Sequence, residues 1–297
     1  MGGERNLLAL PEDCIADILS FTGPLDACKL STVSSSLRDA AQSDAVWKKF
    51  LPSDYESIIL ESSDSSLLYR FSSKKQLYLS LCHDPLLIDS GKKSFALDKW
   101  TGKKCYMISA RDLKIIWSDT PAHWRWISLP DSRFSEVAEL ISICWLEISA
   151  KIHTNMLSPS ILYTSYLVFK SPKGAYGFEY QPAEVIVRFV GRESGKHNVY
   201  MDAERGQRRH SPRLKRRIGL FNRNRIFGIQ ASVANGESSC KYPKERGDGW
   251  LEIELGDYFN KEGEDGELEM SVLEVKGGHW KGGLVVQGIE IRPKYTR

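Results

Sequence analysis

The spacing of apolar residues changes once along this 297-residue chain, near residue 100, and the change decides which folds are open to it. Before that point apolar side chains recur every three or four positions, the period of a helix with one buried face. After it they alternate, the period of a strand. Residues 104–117 read as a first strand or strand pair. In 137–152 the even positions Ala138, Leu140, Cys144, Leu146, Ile148, Ala150 and Ile152 make an apolar face, and the odd ones carry Trp145, Glu147 and Lys151. Segments 163–170 and 185–190 are apolar on both faces, as strands packed inside a sandwich require. Leu251, Ile253 and Leu255 alternate with Glu252 and Glu254; Leu268, Met270 and Val272 alternate with Glu267, Glu269 and Ser271. Residues 284–291 close the set. Gly and Pro collect between the runs, at Pro172 and Gly174, Gly277-Gly278 and Gly282-Gly283. Seven to ten strands with turn chemistry between them predict an antiparallel β-sandwich over residues 100–297. The fold class is α+β and multidomain, helices first and sheet after.

The helical part opens on Leu10-Pro11, followed at once by Glu12 and Asp13. Proline suits a first helical turn, where its missing N–H is an orphan anyway, and the acids suit the positive helix end. Ile15, Ile18 and Leu19 follow at i, i+3 and i+4, and Gly23-Pro24 stops the helix. A second helix starts at Leu25-Asp26, with Cys28, Leu30, Val33 and Leu37 apolar and Ser34-Ser35-Ser36 interrupting them. A third, over 39–50, carries Ala41, Ala45, Val46 and Trp47. Three short helices in about fifty residues cannot bury this much apolar surface among themselves. The excess requires a partner.

Leu10-Pro11, Ile18-Leu19, Val33, Leu37 and the closing Trp47 resemble the F-box motif at its usual spacings. The resemblance implies a helical trio that docks the Skp-type adaptor of a cullin–RING ubiquitin ligase. Leu10, Pro11, Ile15, Ile18, Leu19, Val33, Leu37 and Trp47 would bind that adaptor. The F-box is placed at 1–52, and 53–99 is read as a helical connector ending where Asp89-Ser90-Gly91 breaks the pattern.

Charge supports separate units. Residues 1–90 hold 8 Lys/Arg against 13 Asp/Glu, within a whole-chain net charge of +3, so the remainder is basic. The start has no signal-like apolar core, and no stretch of about 18 apolar residues occurs to span a membrane. Six scattered cysteines (14, 28, 82, 105, 144 and 240) lack paired C-x-x-C spacing. They read as free thiols in a reducing compartment, which points to the cytoplasm or nucleus.

The densest cluster of the second half is Trp117-Ser118-Asp119-Thr120-Pro121-Ala122-His123-Trp124-Arg125-Trp126. Together with Ser109-Ala110-Arg111-Asp112-Leu113, Cys144-Trp145-Leu146-Glu147-Ile148, Asp248-Gly249-Trp250-Leu251-Glu252-Ile253 and Gly288-Ile289-Glu290-Ile291-Arg292-Pro293, it resembles the phloem protein 2 family. That family includes the tobacco-agglutinin-like (Nictaba) lectins, and an F-box ahead of such a domain resembles their plant F-box subclass. The resemblance implies a sandwich that binds N-acetylglucosamine oligomers or N-glycan cores. Its sugar-stacking tryptophans map to Trp117 and Trp124, with Asp119 and Arg125 nearby as hydroxyl partners. Stacking suits the apolar C–H face of a pyranose, while its hydroxyls need polar partners. Trp126, Trp145 and Trp250 are expected in the core.

Other candidate sites are weaker. Residues 205–225 hold nine Lys/Arg and no acid, read equally as a nuclear-import signal or a solvated loop. Nucleic-acid binding would want interleaved aromatics there, and only Phe221 is close. Glu252/Glu254 and Glu267/Glu269 mimic a glycosidase pair but alternate as a solvated sheet face. The six histidines show no metal-ligand spacing, and no cofactor, nucleic acid or membrane partner is expected. The reading is a non-catalytic substrate receptor: the F-box engages the ligase, and the sandwich holds a target, through a glycan or through a protein surface. A stand-alone intracellular carbohydrate-binding protein is the other alternative.

Overall fold

A computed structural model describes residues 10–193, 195–202 and 241–294. The N-terminal region holds four helices where three were expected: α1 (Glu12–Ser20), α2 (Pro24–Leu30), α3 (Ser35–Ala40) and α4 (Asp44–Phe50). The serine run explains the extra break. The Ser34 hydroxyl accepts the Leu37 N–H at 3.2 Å, so the chain leaves one helix and caps the next. Ser43 caps α4 in the same way, accepting from Ala45 N–H. Three more helices follow, α5 (Tyr55–Leu60), α6 (Leu67–Arg70) and α7 (Lys74–His83). Trp47 is buried, donates from Nε1 to the Ala41 carbonyl at 2.8 Å, and packs against Phe50 and Tyr78.

The sheet begins earlier than residue 100. Strands β1 (Leu86–Ile88) and β2 (Lys93–Leu97) form a hairpin that joins β3 (Lys104–Ser109). Asp89 and Ser90 between them adopt φ near +50°, so the polar break read as a domain boundary is a tight turn inside the sheet. The remaining strands are β4 (Lys114–Ile115), β5 (Trp124–Ile127), β6 (Val137–Leu140), β7 (Leu146–His153), β8 (Ile161–Lys170), β9 (Ala183–Phe189), β10 (Lys196–Val199), β11 (Lys244–Glu245), β12 (Leu251–Asn260), β13 (Glu267–Glu274) and β14 (Val285–Pro293). One sheet runs β1-β2-β3-β14-β8-β12-β11, with the β5–β6 pair attached to β14; the other runs β10-β9-β13-β7-β4. Every pairing between these named strands is antiparallel. The alternating run 137–152 is two strands, because residues 141–145 carry the chain from one sheet to the other.

Helices and sandwich share a continuous core. Buried apolar side chains run from Ile15, Leu19 and Trp47 through Tyr78 and Phe95 to Ile289 and Ile291. Polar contacts reinforce this seam. The Tyr78 hydroxyl lies 3.1 Å from the Asp98 carbonyl, Lys104 Nζ pairs with Asp54 at 2.7 Å, and the Lys74 N–H donates to Asp44 at 2.7 Å. Gly102 sits at φ +69° with Phe50 so near that a Cβ would stand 2.7 Å from its carbonyl oxygen. The seam lies at the Tyr163 end of β8; the ten residues of that strand carry the fold about 30 Å to its other end at Lys170.

Below the surface Arg246, Arg292 and Arg133 converge on Glu290, at 2.6, 2.8 and 3.4 Å. Burial alone would raise the Glu290 carboxyl, but the guanidiniums of Arg246, Arg133 and Arg292 overcome it and hold the group down to about 2.

Candidate functional sites at the two ends of the fold

The first candidate surface is the outer face of α1. At about 100° per residue, Ile15 and Leu19 lie together and point inward, while Pro11, Cys14, Ile18 and Phe21 fall on the side turned outward. Leu10, Ile18, Phe21 and Val33 are exposed at 42, 43, 88 and 69%. An exposed phenylalanine beside Ile18, on a helix whose opposite face carries buried Ile15 and Leu19, is an unsatisfied face. The eight residues expected to meet an adaptor therefore divide. Leu10, Pro11, Ile18 and Val33 are solvent-facing, whereas Ile15, Leu19, Leu37 and Trp47 are buried in the chain's own core and form the scaffold beneath. The i, i+3, i+4 stripe straddles the core boundary, so its members cannot all face one partner. Phe21 was missed, although its spacing from Pro11, Cys14 and Ile18 was available in the sequence.

The second candidate surface is the end of the sandwich where the 116–123, 141–145, 171–182 and 275–284 segments meet. Trp117 stands there 41% exposed, at φ +54°, an unusual conformation for a bulky residue. Its ring lies against His123, with centroids 5.3 Å apart. Trp124 does not join it at the surface. Its indole is 2% exposed, and Nε1 donates inward to the Ile116 carbonyl at 3.0 Å. Alternation along β5 turns Trp124 to the core and Arg125 to solvent. Arg125 is engaged by Glu139 on the paired strand at 2.6 Å; Asp119 is exposed beside Trp117.

The tryptophans expected in the core also divide. Trp250 is buried, donating to the Asp131 carbonyl at 3.0 Å. Trp126 is half-buried under the Arg111 guanidinium, 3.8 Å from the ring centre. Trp145 is 48% exposed, because it sits in the sheet-changing segment where strand alternation no longer applies. Exposed Tyr176 and Trp280 complete this end, and neither was singled out from the sequence.

The acids are ion-paired rather than free, and Glu252 is largely buried beside Glu290 instead of lying on a solvated face. Glu252 meets Arg292 and Arg246, Glu254 meets Lys241, Glu267 meets Lys151 and Glu269 meets Arg188. Among the described residues no cluster of His, Cys, Asp and Glu converges as a metal site, and no helix is long and apolar enough to cross a membrane. The basic run 205–225 lies outside the described residues.

Residues 103–293 match the phloem protein 2 family, and residues 7–49 match the F-box domain. The chain belongs to the phloem protein 2 family and carries an F-box at its N-terminal end. Among similar Arabidopsis thaliana proteins, F-box protein PP2-B1 is 43% identical over 96% of this chain and 89% of its own length. F-box protein PP2-B13 is 45% identical over 97% of this chain and 99% of its own, and F-box protein VBF 44% over 97% and 100%. The two domains together support a substrate-recognition role in a ubiquitin ligase of the Skp–cullin–F-box type.

Proposed function

We propose that the protein is the target-binding subunit of such a ligase, acting in the cytoplasm or nucleus, with its two working surfaces at opposite ends of one rigid body. The observation that carries the reading is the exposed apolar face of Pro11, Ile18 and Phe21 on α1, with Leu10 just before it and Val33 exposed between α2 and α3. Covering a fully exposed side chain of this kind contributes about 1.5–3 kcal/mol, proportionately less for the half-exposed Leu10 and Ile18, and this is set against the cost of association. The chain contributes position rather than chemistry: it raises the local concentration of a target near the ubiquitin donor. Changing Ile18 and Val33 to Asp should abolish co-purification with the Skp-type adaptor and leave the melting temperature unaltered. Undiminished co-purification sinks the ligase assignment.

At the far end the target is held through an uncharged glycan built of N-acetylglucosamine, with Trp117 as the stacking ring and Asp119 as a hydroxyl partner. The support is an aromatic ring kept exposed in a strained backbone conformation, which packing alone does not require. Burial of Trp124 removes one of the two expected rings, and it is the observation that favours the rival reading, recognition of a protein surface. Calorimetric titration of the chain with N-acetylglucosamine oligomers decides between them. Saturable binding lost in Trp117→Ala supports the glycan; no binding leaves the protein surface.

A further inference from the structure

The loops at the aromatic end are welded into a small sheet of their own. Ile143 and Lys281 exchange backbone hydrogen bonds at 2.9 and 2.8 Å, and Tyr176 and Gly282 exchange theirs at 3.0 and 3.1 Å. The Ile141 N–H donates to the His123 carbonyl at 2.9 Å, tying in the Trp117 turn. On this ladder Ser142 and Tyr176 flank Gly282, and their hydroxyls hydrogen-bond across it at 2.9 Å. Only glycine fits between them: a Cβ at 282 would stand 2.3 Å from the Ile141 carbonyl oxygen and 3.0 Å from the Tyr176 ring. His123 Nδ1–H donates to the Ser142 carbonyl at 2.9 Å, and Trp117 lies against His123.

The backbone that carries Trp280 is fixed from beneath. Its neighbour Lys281 is fully buried, ion-paired with Glu274, and donates to the Cys144 and His279 carbonyls at 3.1 and 2.9 Å. The His279 ring in turn packs on Tyr180 at 5.0 Å. Trp117, Tyr176 and Trp280 are 41, 44 and 57% exposed on this braced framework. From the strand of Ser142 across Gly282 to Tyr176 the surface runs two interstrand steps, about 10 Å, longer than one sugar ring.

The geometry points to an extended carbohydrate subsite, in which Tyr176 and Trp280 hold further rings of the same uncharged oligosaccharide whose first ring stacks on Trp117. This rests on the carbohydrate reading of Trp117. Three features select that ligand. The ring-bearing residues carry no formal charge, and the Lys281–Glu274 pair is neutralised below the surface, so the aromatic faces themselves present no charge to a ligand. Hydroxyl and imidazole groups lie between the aromatic faces, matching a pyranose with apolar faces and polar edges. The Trp117 ring rests on His123 and the Tyr176 hydroxyl on Ser142 before any ligand arrives, and the backbone carrying Trp280 is held in place, so less freedom is lost on binding.

The test is calorimetry on the full chain with N-acetylglucosamine and its oligomers of increasing length, comparing Trp117→Ala, Tyr176→Ala and Trp280→Ala. Wild-type affinity should rise with oligomer length. Tyr176→Ala and Trp280→Ala should each lower long-oligomer affinity by about tenfold, the loss of one stacking contact, and leave short-oligomer affinity unaltered. Trp117→Ala should weaken both. Since Tyr176 also bonds Ser142, Tyr176→Phe serves as the control and should keep most of the long-oligomer affinity. If Trp117→Ala matters but the other two variants do not, the extended subsite is overturned while the Trp117 reading stands, and the Tyr176–Trp280 patch falls to a protein partner. If no oligomer binds the wild-type chain, both are overturned.

Discussion

Trp117 and Trp124 stand seven residues apart in one motif, yet their environments predict opposite consequences for the same substitution. Trp124 is 2% exposed and donates to the Ile116 carbonyl. Truncating a buried tryptophan to alanine costs about 3–5 kcal/mol through lost burial and the cavity left behind. The orphaned carbonyl adds about 1 kcal/mol. For a unit of roughly 200 residues each kcal/mol moves the melting temperature about 2–4 °C, so Trp124→Ala should lower it by roughly 8–24 °C. Trp117→Ala loses one exposed ring and its contact with His123, about 1 kcal/mol, and should melt within a few degrees of wild type. Trp117→Gly should melt closer still, because glycine adopts φ +54° without the strain an L side chain carries there. The assay is a thermal melt of each variant followed by titration with N-acetylglucosamine oligomers. A Trp124→Ala protein that melts like wild type would refute the core placement of that ring. A Trp117→Ala protein that melts 10 °C lower would refute the view of Trp117 as a working surface.

The other predictions concern groups that hold the fold between its two ends. Glu290 titrates in the folded chain at about 2, below its ordinary 4.5, so its stabilisation is fully present above about pH 4.5 and is lost as pH falls toward 2. The difference corresponds to roughly 3 kcal/mol. Urea unfolding followed from pH 7 to 3 should show about 2 kcal/mol of that loss, the remainder falling below pH 3, and Glu290→Gln should flatten it. Glu274→Gln leaves the fully buried Lys281 ammonium without its anion and should destabilise by about 3–5 kcal/mol in chemical denaturation, whereas pairing it with Lys281→Met should recover most of the loss. Gly102→Ala forces a Cβ against the Phe50 carbonyl at a positive φ and should cost about 1–3 kcal/mol, with limited proteolysis cutting first near the seam between α4 and β3.

Periodicity located most of the elements because the buried faces are regular. Leu268, Met270 and Val272 alternate in the sequence and are buried on one face of β13. What it could not supply lies where the backbone leaves regular geometry. Trp145 falls on an alternating pattern in the sequence, but residues 141–145 cross between sheets and turn it to solvent. The resemblance mapped Trp124 to a sugar-stacking ring beside the Pro121 turn, while strand pairing with Leu140 turns it into the core. The Ser34-Ser35-Ser36 run looked like a weak point inside one helix; a hydroxyl capping the next helix is local chemistry that serine equally supports. Tyr176 and Trp280 are about a hundred residues apart, and only the Tyr176–Gly282 ladder brings them to one surface. No local pattern encodes such a meeting.

The continuity of the core bears on how a receptor of this kind would work. A flexible linker between docking face and target site would let the target sweep a wide volume, and its effective concentration near a donor falls as the reachable volume grows. Here the connector is α5, α6 and α7, whose Tyr55, Ile59, Leu77, Tyr78 and Leu81 are buried in the same cluster as the sandwich strands. Tyr78 touches Trp47 on one side and the Asp98 carbonyl on the other, so one side chain joins the F-box to the sheet. The distance from Ile18 to Trp117 is therefore set by packed side chains and by the length of β8 rather than by chain entropy. Lysines of a bound target would be presented along one direction only, and which of them is modified would follow from the grip at the aromatic end. If Tyr176 and Trp280 extend the grip proposed for Trp117, that longer surface, whose backbone Lys281 and Glu274 brace, would fix a target's orientation as well as its affinity, which a single stacking ring cannot do.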